Sequence, residues 1–361
     1  MIIISPLLRM VASIASIVLY AVTAVACFGG AVSPSITPLG SVVSIGMPIL
    51  LTLSAIVTVA WFCFGHWMVG GLGVLTFLLC ASPIRMWFPM HSAPKPTEGA
   101  TKVTILTWNI LHGTDLSKPD YNGVRTMEEV LKVDADIVCM QEITGRDVDS
   151  MYRKAPATMD SIYARYPYHL GLKASYDLTI LSKFPLRHLY FGNAYSYVLS
   201  EFCVVTTPGG NLAIGNIHLP SFALNEKEKT IFTPHGDINQ KEHLTSRIYS
   251  KLKYAIPIRA DAAARVISGI TQMAMPMVIC GDFNDVPASW TYRLFIKAGF
   301  KDAYVDTNFF PTFTFYPNGF YFHLDQVMYR GDITPLSVDR INLRTSDHIP
   351  LLATFELSRS L

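Results

Sequence analysis

The chain has 361 residues, of which half are hydrophobic and 16% are charged, and its formal net charge is +2. An ordinary soluble domain carries roughly 25% charged residues. The abundance of core-forming residues excludes a disordered chain, and the near-neutral charge differs from the strongly basic balance of many nucleic-acid-binding proteins. The shortage of charge is concentrated at the N-terminus, where Arg9 is the only charged side chain before Arg85.

The first 88 residues are predicted to form a membrane anchor. Three apolar runs, at 6–28, 41–64 and 67–84, approach the roughly 20 residues that a helix needs to cross a bilayer. The first run also resembles a secretory signal peptide, but the two later runs would still anchor the chain. We therefore predict three transmembrane helices, followed by a Pro-rich linker at 89–101 that holds a separable domain slightly off the bilayer.

The anchor carries no polar groups of the kind that transporters and proton pumps place inside the membrane. Three spans would put the N-terminus and the C-terminal domain on opposite sides of the bilayer. The flanking positive charges are too few for the positive-inside rule to decide which side holds the domain.

From Lys102 onwards, short β-rich segments alternate with helical ones, which predicts an α/β domain over residues 102–361. The predicted strands are 103–108, 136–141, 178–182, 202–206, 212–218, 277–281, 325–329 and 350–356. The predicted helices are 123–132, 146–165, 240–254, 258–273 and 289–298.

Polar residues follow or precede several of these strands. A single carboxylate in such a position is usually a turn or capping residue, but six sites occur here in one chain. They are Asn109, Gln141-Glu142, Asn216-Ile217-His218, Gly281-Asp282-Phe283-Asn284, His323-Leu324-Asp325 and Ser346-Asp347-His348.

In this order, these residues resemble the endonuclease/exonuclease/phosphatase superfamily, the metal-dependent phosphoesterases related to deoxyribonuclease I. The resemblance covers about residues 102–358. It implies a four-layer α/β sandwich, in which two packed β-sheets are flanked by helices, and an enzyme that hydrolyses phosphoric esters. The helix around Arg259-Ala260-Asp261 that leads into Val278–Asp285 looks most like membrane-anchored bacterial members, which implies an inner-membrane protein with an extracytoplasmic catalytic domain.

Hydrolysis of an anionic phosphodiester requires a divalent cation, a base for the attacking water and donors for the developing charge. Hard oxygen ligands suit Mg²⁺, with Mn²⁺ as a substitute. The resemblance implies that Glu142, Asn109 and Asp347 bind the metal. It also implies that Asp282 orients and deprotonates water, with Asn284 beside it to hold phosphate or water.

His348 is expected to contact the phosphate, with Asp325 fixing its tautomer. Because family accounts differ on which residue is the base, we treat Asp282, Asp325 and His348 as one coupled group. His218 and Asn216, in an Asn-x-His motif, are expected to bind the phosphate oxygens or the leaving group. Many relatives have Arg-Ile-Asp-Tyr where this chain has His323-Leu324-Asp325-Gln326, which places one phosphate contact in doubt.

Two segments are candidates for selecting the substrate. Residues 309–322 contain eight aromatic residues and form either an apolar rim of the cleft, a platform for a base, or a hairpin packed into the core. Residues 221–256 form either a solvated loop and helix or a lid.

Three functions remain open. A membrane-anchored phosphodiesterase or phosphomonoesterase could act on a phospholipid or another membrane phosphate ester, a tethered nuclease could act on DNA or RNA, or a degenerate scaffold could bind without catalysis. The expected partners are the bilayer and the phosphate-ester substrate, and the sequence indicates no protein partner.

Overall fold

The computed structural model describes residues 5–114, 123–172, 177–190, 199–222, 238–316, 321–343 and 345–357, with only the backbone described at 238–243. In chain order the strands are β1 (Thr101–Asn109), β2 (Ile137–Gln141), β3 (Tyr168–Leu170), β4 (Leu178–Ser182), β5 (Leu186–Leu189), β6 (Leu199–Thr207), β7 (Gly210–His218), β8 (Met277–Asp282), β9 (Lys301–Asp302), β10 (Asp325–Arg330), β11 (Ile333–Arg340) and β12 (Leu351–Leu357). The helices are α1 (Pro6–Gly29), α2 (Leu39–Ile45), α3 (Met47–Cys63), α4 (Trp67–Leu79), α5 (Ala81–Trp87), α6 (Val124–Val133), α7 (Gly145–Lys154), α8 (Pro156–Arg165), α9 (Ile238–Ile270), α10 (Trp290–Lys297) and α11 (Ala303–Thr307).

The strands form two six-stranded mixed sheets, with the orders β11-β12-β1-β2-β4-β3 and β5-β6-β7-β8-β10-β9. Alternate residues along each central strand point to opposite faces of its sheet. In β1, Val103 and Ile105 join the core between the two sheets, whereas Leu106 and Trp108 pack beneath helices α6–α8. Helices α9 and α10 cover the outer face of the second sheet. The layers are therefore helices, sheet, sheet and helices, which confirms the predicted α/β sandwich.

Three of the predicted helices differ in extent from those observed. The segment 146–165 forms two helices, α7 and α8, which meet at Ala155 directly before Pro156. Conversely, the predicted helices 240–254 and 258–273 form the single helix α9, with Pro257 inside it. The proline removes one backbone hydrogen bond, but apolar residues on both sides of it, including Ile256 and Ala262, are buried and hold the helix together.

In the N-terminal part of the chain, α1 is long and apolar enough to cross a membrane. The two later predicted spans are each broken, because α2 and α3 meet at 61° and α4 and α5 at 68°. Each pair reaches the length of a span only if its two helices are taken together. Pro48 and Pro83 lie in the first turns of α3 and α5, where a proline starts a helix but cannot continue the preceding one. The prediction of uninterrupted helices at 41–64 and 67–84 is corrected accordingly.

Helices α1, α3 and α4 pack through small and polar residues. Gly73 of α4 allows a close approach, because a Cβ at this position would lie 2.1 Å from Thr58 Oγ1. The outward-facing side chains are large and apolar, among them Leu8 and Ile14 of α1 and Ile56 of α3. Three hydrogen bonds between side chains join α1 to α3: Tyr20–Thr58 (3.0 Å), Thr23–Ser54 (2.8 Å) and Trp61–Ser16 (2.8 Å).

One end of this helical bundle packs directly on the α/β domain. Ala26, Cys27 and Met47 share a buried cluster with Ala288 and other residues of the domain. A Cβ on Gly30 would lie 2.0 Å from the Ala288 carbonyl oxygen, so the two backbones are in close contact. The predicted linker is held against the domain as well, since the backbone N–H of Thr97 donates to Glu356 Oε2 at 2.7 Å. The linker therefore does not separate the domain from the helices.

Candidate active site

The strand order brings most of the predicted polar residues to one edge of the sandwich. β1 ends at Asn109, and its parallel neighbour β2 ends immediately before Glu142. In the other sheet, the parallel strands β7 and β8 pair His218 with Asp282. β10 runs antiparallel to β8 and begins at Asp325, opposite Asp282. The two sheets thus present their functional side chains at the same end.

The backbone at this edge adopts conformations that favour close approach. Gly281 has a φ of +137°, and a Cβ there would lie 2.0 Å from the Ile217 carbonyl oxygen. Glu142 and Asn284 have φ values of 54° and 49°, a left-handed conformation that costs a non-glycine residue of the order of 1 kcal/mol or more. Such backbone strain is commonly found where side chains must be aimed at a site.

Asn109 joins the carboxylates of the two sheets. Its Nδ2 donates to Glu142 Oε1 at 3.0 Å and to Asp282 Oδ2 at 3.1 Å, and its Oδ1 accepts from the backbone N–H of Leu111. Asn109 therefore holds two acidic side chains close together despite their mutual repulsion. Its amide nitrogen faces the carboxylates, so its part in metal binding remains a prediction.

His348 and Asp325 form a buried hydrogen-bonded pair. His348 Nδ1 lies 2.8 Å from Asp325 Oδ2, and His348 Nε2 lies 3.6 Å from Asp282 Oδ2. Burial lowers the pKa of His348, but the nearby charges of Asp325 and Asp282 outweigh burial and raise this pKa to about 10. The imidazole is thus charged at neutral pH, with Nδ1–H donated to Asp325 and Nε2–H directed towards Asp282.

Two other predicted residues border these groups. His218 Nε2 lies 3.8 Å from both Glu142 Oε1 and Asp282 Oδ2. Asn284 donates its backbone N–H to Asp282 Oδ1 at 2.7 Å and its side-chain amide to the Leu219 carbonyl at 2.9 Å. The first of these bonds fixes the orientation of the Asp282 carboxylate, so Asn284 positions Asp282.

The structure places Asn216 elsewhere. Its side chain is fully buried between the two sheets, with Nδ2 donating to the carbonyls of Met140 and Thr179, while Oδ1 accepts from Gln141 Nε2 at 2.7 Å. These bonds occupy both amide hydrogens. The substrate contact predicted for Asn216 is corrected to a structural role, in which this residue and Gln141 join the two sheets below the site.

A cavity of about 240 Å³ opens onto these residues. Its lining is polar at the catalytic residues and otherwise almost entirely apolar. The polar lining residues are Glu142, Ser221, Asp282, Asn284, Asp285, Asp347 and His348, and the apolar ones are Ile45, Leu111, Phe222, Ile248, Leu252, Val286, Phe315, Phe322 and Leu324.

The aromatic segment contributes to both the cavity and the surface. Phe315 and Phe322 line the cavity. The Phe315 ring packs edge-on against the His348 ring, with 4.9 Å between the two ring centres. Phe309 and Phe310 are exposed, whereas residues 317–320 lie outside the described residues. Of the seven aromatic residues in this segment that the structure describes, Phe315 and Phe322 line the cavity.

The motifs did not indicate a buried ion pair beneath the site. Arg259 is fully buried, its Nη1 lies 3.6 Å from Asp285 Oδ2, and its guanidinium lies 4.0 Å from the centre of the Phe222 ring. Burial lowers the pKa of Arg259, which Asp285 and Asp282 oppose. Asp285 directly follows the Gly-Asp-Phe-Asn motif, and that adjacency was the one available sequence signal.

The charge of the polar end of the cavity fits a divalent cation. Glu142, Asp282 and Asp347 line it together with Asp285, and His348 is the only cationic side chain among the described lining residues. An anionic phosphate ester would be repelled from such a site unless a cation were present. The oxygen-rich donor set matches the preference of Mg²⁺ and Mn²⁺. Ligand atoms of Asp282, Asp325 and His348 also lie within 4.8 Å of one another and could hold a metal.

Paired carboxylates, a charged histidine and an oxygen-rich donor set are the groups that metal-assisted hydrolysis of a phosphate ester requires. The sequence matches the model of the Endonuclease/Exonuclease/phosphatase family over residues 106–348, and the chain belongs to this family. Its members are phosphoester hydrolases, including nucleases and phosphatases. A search of curated proteins finds no match.

Several solved structures resemble the domain at low sequence identity. An endonuclease/exonuclease/phosphatase protein from Bacteroides vulgatus is 18% identical, covers 72% of this chain and 100% of its own, and has a TM-score of 0.48. A humanized D. rerio TDP2 is 17% identical, covers 70% of this chain and 98% of its own, and has a TM-score of 0.47. ANGEL2, described as a 2',3'-cyclic phosphatase, is 15% identical, covers 73% of this chain and 97% of its own, and has a TM-score of 0.43.

Proposed function

We propose that the protein is a membrane-anchored, Mg²⁺-dependent phosphoesterase that hydrolyses a phosphodiester or phosphomonoester of a membrane-associated substrate by attack of water. The observation that carries this proposal is the meeting of Glu142, Asp282 and His348 at one end of a single cavity. Family membership supports the reaction class. The apolar remainder of the cavity favours a lipid-like substrate over a nucleic acid.

Glu142 and Asp347, with Asn109 beside Glu142, are the residues that would hold the metal ion. A bound divalent ion would neutralise charge on the phosphate oxygens and so make the phosphorus more accessible to water. Mn²⁺ would serve as a substitute because it accepts the same oxygen ligands.

The reaction forms a bond between the water oxygen and phosphorus and breaks the bond from phosphorus to the ester oxygen. Asp282 orients the water and accepts its proton, because its carboxylate is fixed by Asn109 and Asn284. His348 donates Nε2–H to a phosphate oxygen while Asp325 holds Nδ1–H. His218, 3.8 Å from Asp282, donates to the phosphate or to the departing oxygen.

The N-terminal bundle supports membrane anchoring. Small and polar residues lie inside it and large aliphatic residues lie outside, the arrangement that helices adopt when their surroundings are as apolar as their side chains. α1 alone has the length and composition of a span. The inner membrane of a bacterium, with the domain outside the cytoplasm, is the location that we propose from the resemblance to anchored bacterial proteins.

The test uses the full-length protein in detergent, with Mg²⁺ added or chelated. Supercoiled plasmid, mixed phospholipid vesicles and a synthetic phosphodiester are offered in parallel to the wild type and to Asp282→Asn. Asp261→Asn is the control, because it removes a carboxylate from an exposed ion pair with Arg265 on α9. We expect Mg²⁺-dependent release of phosphorylated headgroups, lowered by at least two orders of magnitude in Asp282→Asn only.

The other outcomes distinguish the alternatives. Plasmid nicking that Asp282→Asn abolishes would make the protein a tethered nuclease. Absence of metal-dependent turnover on every substrate, with Mg²⁺ binding also undetectable, would favour the non-catalytic scaffold.

A further inference from the structure

The N-terminal segment contributes a wall of the catalytic cavity. Ile45, the last residue of α2, lines the same cavity as Asp282 and His348. More than 230 residues of sequence separate it from these catalytic residues, and no motif predicted its presence. The helices that precede the domain therefore complete the site as well as anchoring the chain.

Packing against α9 holds α2 in this position. Ile45 and Val42 contact a buried cluster formed by Ile248, Leu252 and Ile256 of α9. Directly after Ile45, the chain bends by 61° at Gly46 into α3, whose first residue Met47 is fully buried. Because Ile45 packs on α9 and is followed closely by a buried residue, the position of the Ile45 side chain is defined by packing.

We propose that the apolar part of the cavity, closed by Ile45 of the N-terminal segment, binds the first carbons of an aliphatic chain attached to the phosphate that Asp282 and His348 contact. This inference rests on the proposed function and specifies its substrate class as a phosphate ester with an aliphatic, lipid-like substituent. Ile45 would be a specificity-determining residue.

The lining favours an aliphatic occupant over a nucleobase. Outside the candidate catalytic and metal-binding residues, the only polar side chains among the described lining residues are Ser221 and Asp285, and Asp285 is paired with Arg259. A base placed there would bury several nitrogen and oxygen atoms without partners, which strongly disfavours binding. Two of the three aromatic rings that line the cavity are also engaged already, since Phe222 packs against the Arg259 guanidinium and Phe315 against His348.

An aliphatic chain would instead gain contact along the whole wall. Ile248 and Leu252 of α9, Leu324 and Ile45 offer only methyl and methylene groups. Burial of each additional methylene should tighten binding about fourfold while the carbons still enter the cavity. The volume of about 240 Å³, below the roughly 300–1,000 Å³ of most ligand pockets, limits the number of carbons that fit.

The experiment measures binding of methyl-, butyl- and octylphosphonate to the full-length protein with Mg²⁺ in a sterol-based detergent. The P–C bond is not an ester, so these probes report binding without turnover. We expect butylphosphonate to bind at least tenfold more tightly than methylphosphonate. Ile45→Trp should remove most of that gain by filling the cavity, and leave methylphosphonate binding unchanged.

Leu39→Trp is the matched control, since Leu39 lies on the same short helix and is 52% exposed. If Ile45→Trp does not fold, Ile45→Ala provides a second test, with butylphosphonate binding weakened three- to tenfold and Leu39→Ala unchanged. Equal affinity for all chain lengths, an equal effect of the Leu39 and Ile45 substitutions, or tighter binding of a nucleoside phosphonate than of butylphosphonate would overturn the inference.

The two proposals fail in different ways. If binding of the alkylphosphonates depends on chain length but no ester is hydrolysed, the proposed function is contradicted and the aliphatic binding site is retained. Hydrolysis that depends on Asp282, with no influence of chain length or of Ile45, would retain the function and refute the aliphatic site.

Discussion

At the residue scale, Asp325 is connected to the cavity through His348. Its Oδ2 lies 2.8 Å from His348 Nδ1, and Asp325 does not itself line the cavity. The sequence resemblance grouped Asp325 with His348 and Asp282, and in the structure the imidazole is held by Asp325 and faces Asp282. Both carboxylates therefore favour the charged form of the imidazole.

Asp325→Asn should lower turnover by two to four orders of magnitude, the usual contribution of a group engaged in proton transfer. Without the carboxylate, the pKa of His348 falls from about 10 towards its ordinary value. The alkaline limb of the rate profile should consequently move to lower pH. The measurement is turnover against pH for the wild type, Asp325→Asn and the control Asp306→Asn, which removes a carboxylate bonded to Tyr329 away from the site. A profile of unchanged shape would contradict this role.

His323 should make folding sensitive to acid. Burial lowers its pKa from 6.5 to about 4, so the folded protein keeps this imidazole neutral. Between pH 6.5 and 4, the unfolded chain binds a proton at His323 and the folded chain does not, so stability decreases as pH falls through this window. The loss amounts to roughly 3 kcal/mol.

The measurement is unfolding of the wild type and His323→Phe in detergent between pH 4 and 7.5. The substitution should flatten the acid dependence, because phenylalanine cannot bind the proton. His169→Phe, on the exposed edge strand β3, is the control and should retain the slope of the wild type. Parallel slopes in the wild type and His323→Phe would show that other groups cause the acid sensitivity.

The residues of the candidate site could be predicted where they lie in short local sequence motifs. Asp282 and His348 lie in short motifs next to apolar strands, so their residue types and order were informative. Asn216 lies in an equally good motif, but its neighbours in the other sheet determine where its amide points. Ile45 reaches the cavity only through the packing of α2 on α9, a long-range contact that no local pattern encodes.

At the element scale, the sequence predicted the eight inner strands and missed the four that form the sheet edges. The missed strands are β3, β5, β9 and β11. Inner strands bury side chains on both faces and therefore appear as continuous apolar runs. Edge strands are short or partly polar, and β11 contains Pro335 next to a shift in register, a residue that is tolerated at an edge.

Gly73 should be essential to the helical bundle, whereas Gly71 should not. A Cβ on Gly73 would lie 2.1 Å from Thr58 Oγ1 and 2.8 Å from Tyr20 Oη, whereas one on Gly71 meets nothing within 4 Å. Gly73→Ala should therefore separate α4 from α1 and α3 and cost about 1–3 kcal/mol. Gly71→Ala should be neutral, or stabilising by up to about 1 kcal/mol.

The measurement is the apparent melting temperature of the two variants in the same detergent, a comparison that holds composition and helix propensity constant. Equal melting temperatures would show that α1, α3 and α4 do not pack as observed. The structure would then give no reason to expect that these helices enter a membrane as one packed bundle.

At the scale of the whole molecule, the bundle and the domain form one packed body. Val286, Ala288 and Leu324 of the domain are buried by residues of α1, α3 and α5. The sequence suggested two separable parts, because composition changes sharply near residue 85 and the segment between them is rich in proline. Composition reports which residues prefer lipid or water, but it does not report whether two neighbouring parts dock.

Removal of residues 1–88 should therefore yield a fragment that aggregates and turns over substrate poorly, because it exposes Val286, Ala288 and Leu324 and lacks Ile45 of the cavity wall.

Gly30→Leu tests the same contact in the full chain, since a side chain there collides with Ala288. We expect Gly30→Leu to accelerate limited proteolysis within the segment 89–100, whose side chains are mostly exposed, and to lower turnover. Gly71→Leu, whose side chain enters open space, should do neither. A monodisperse fragment with full turnover, together with unchanged proteolysis of Gly30→Leu, would show that docking is dispensable and that the helices serve only as an anchor.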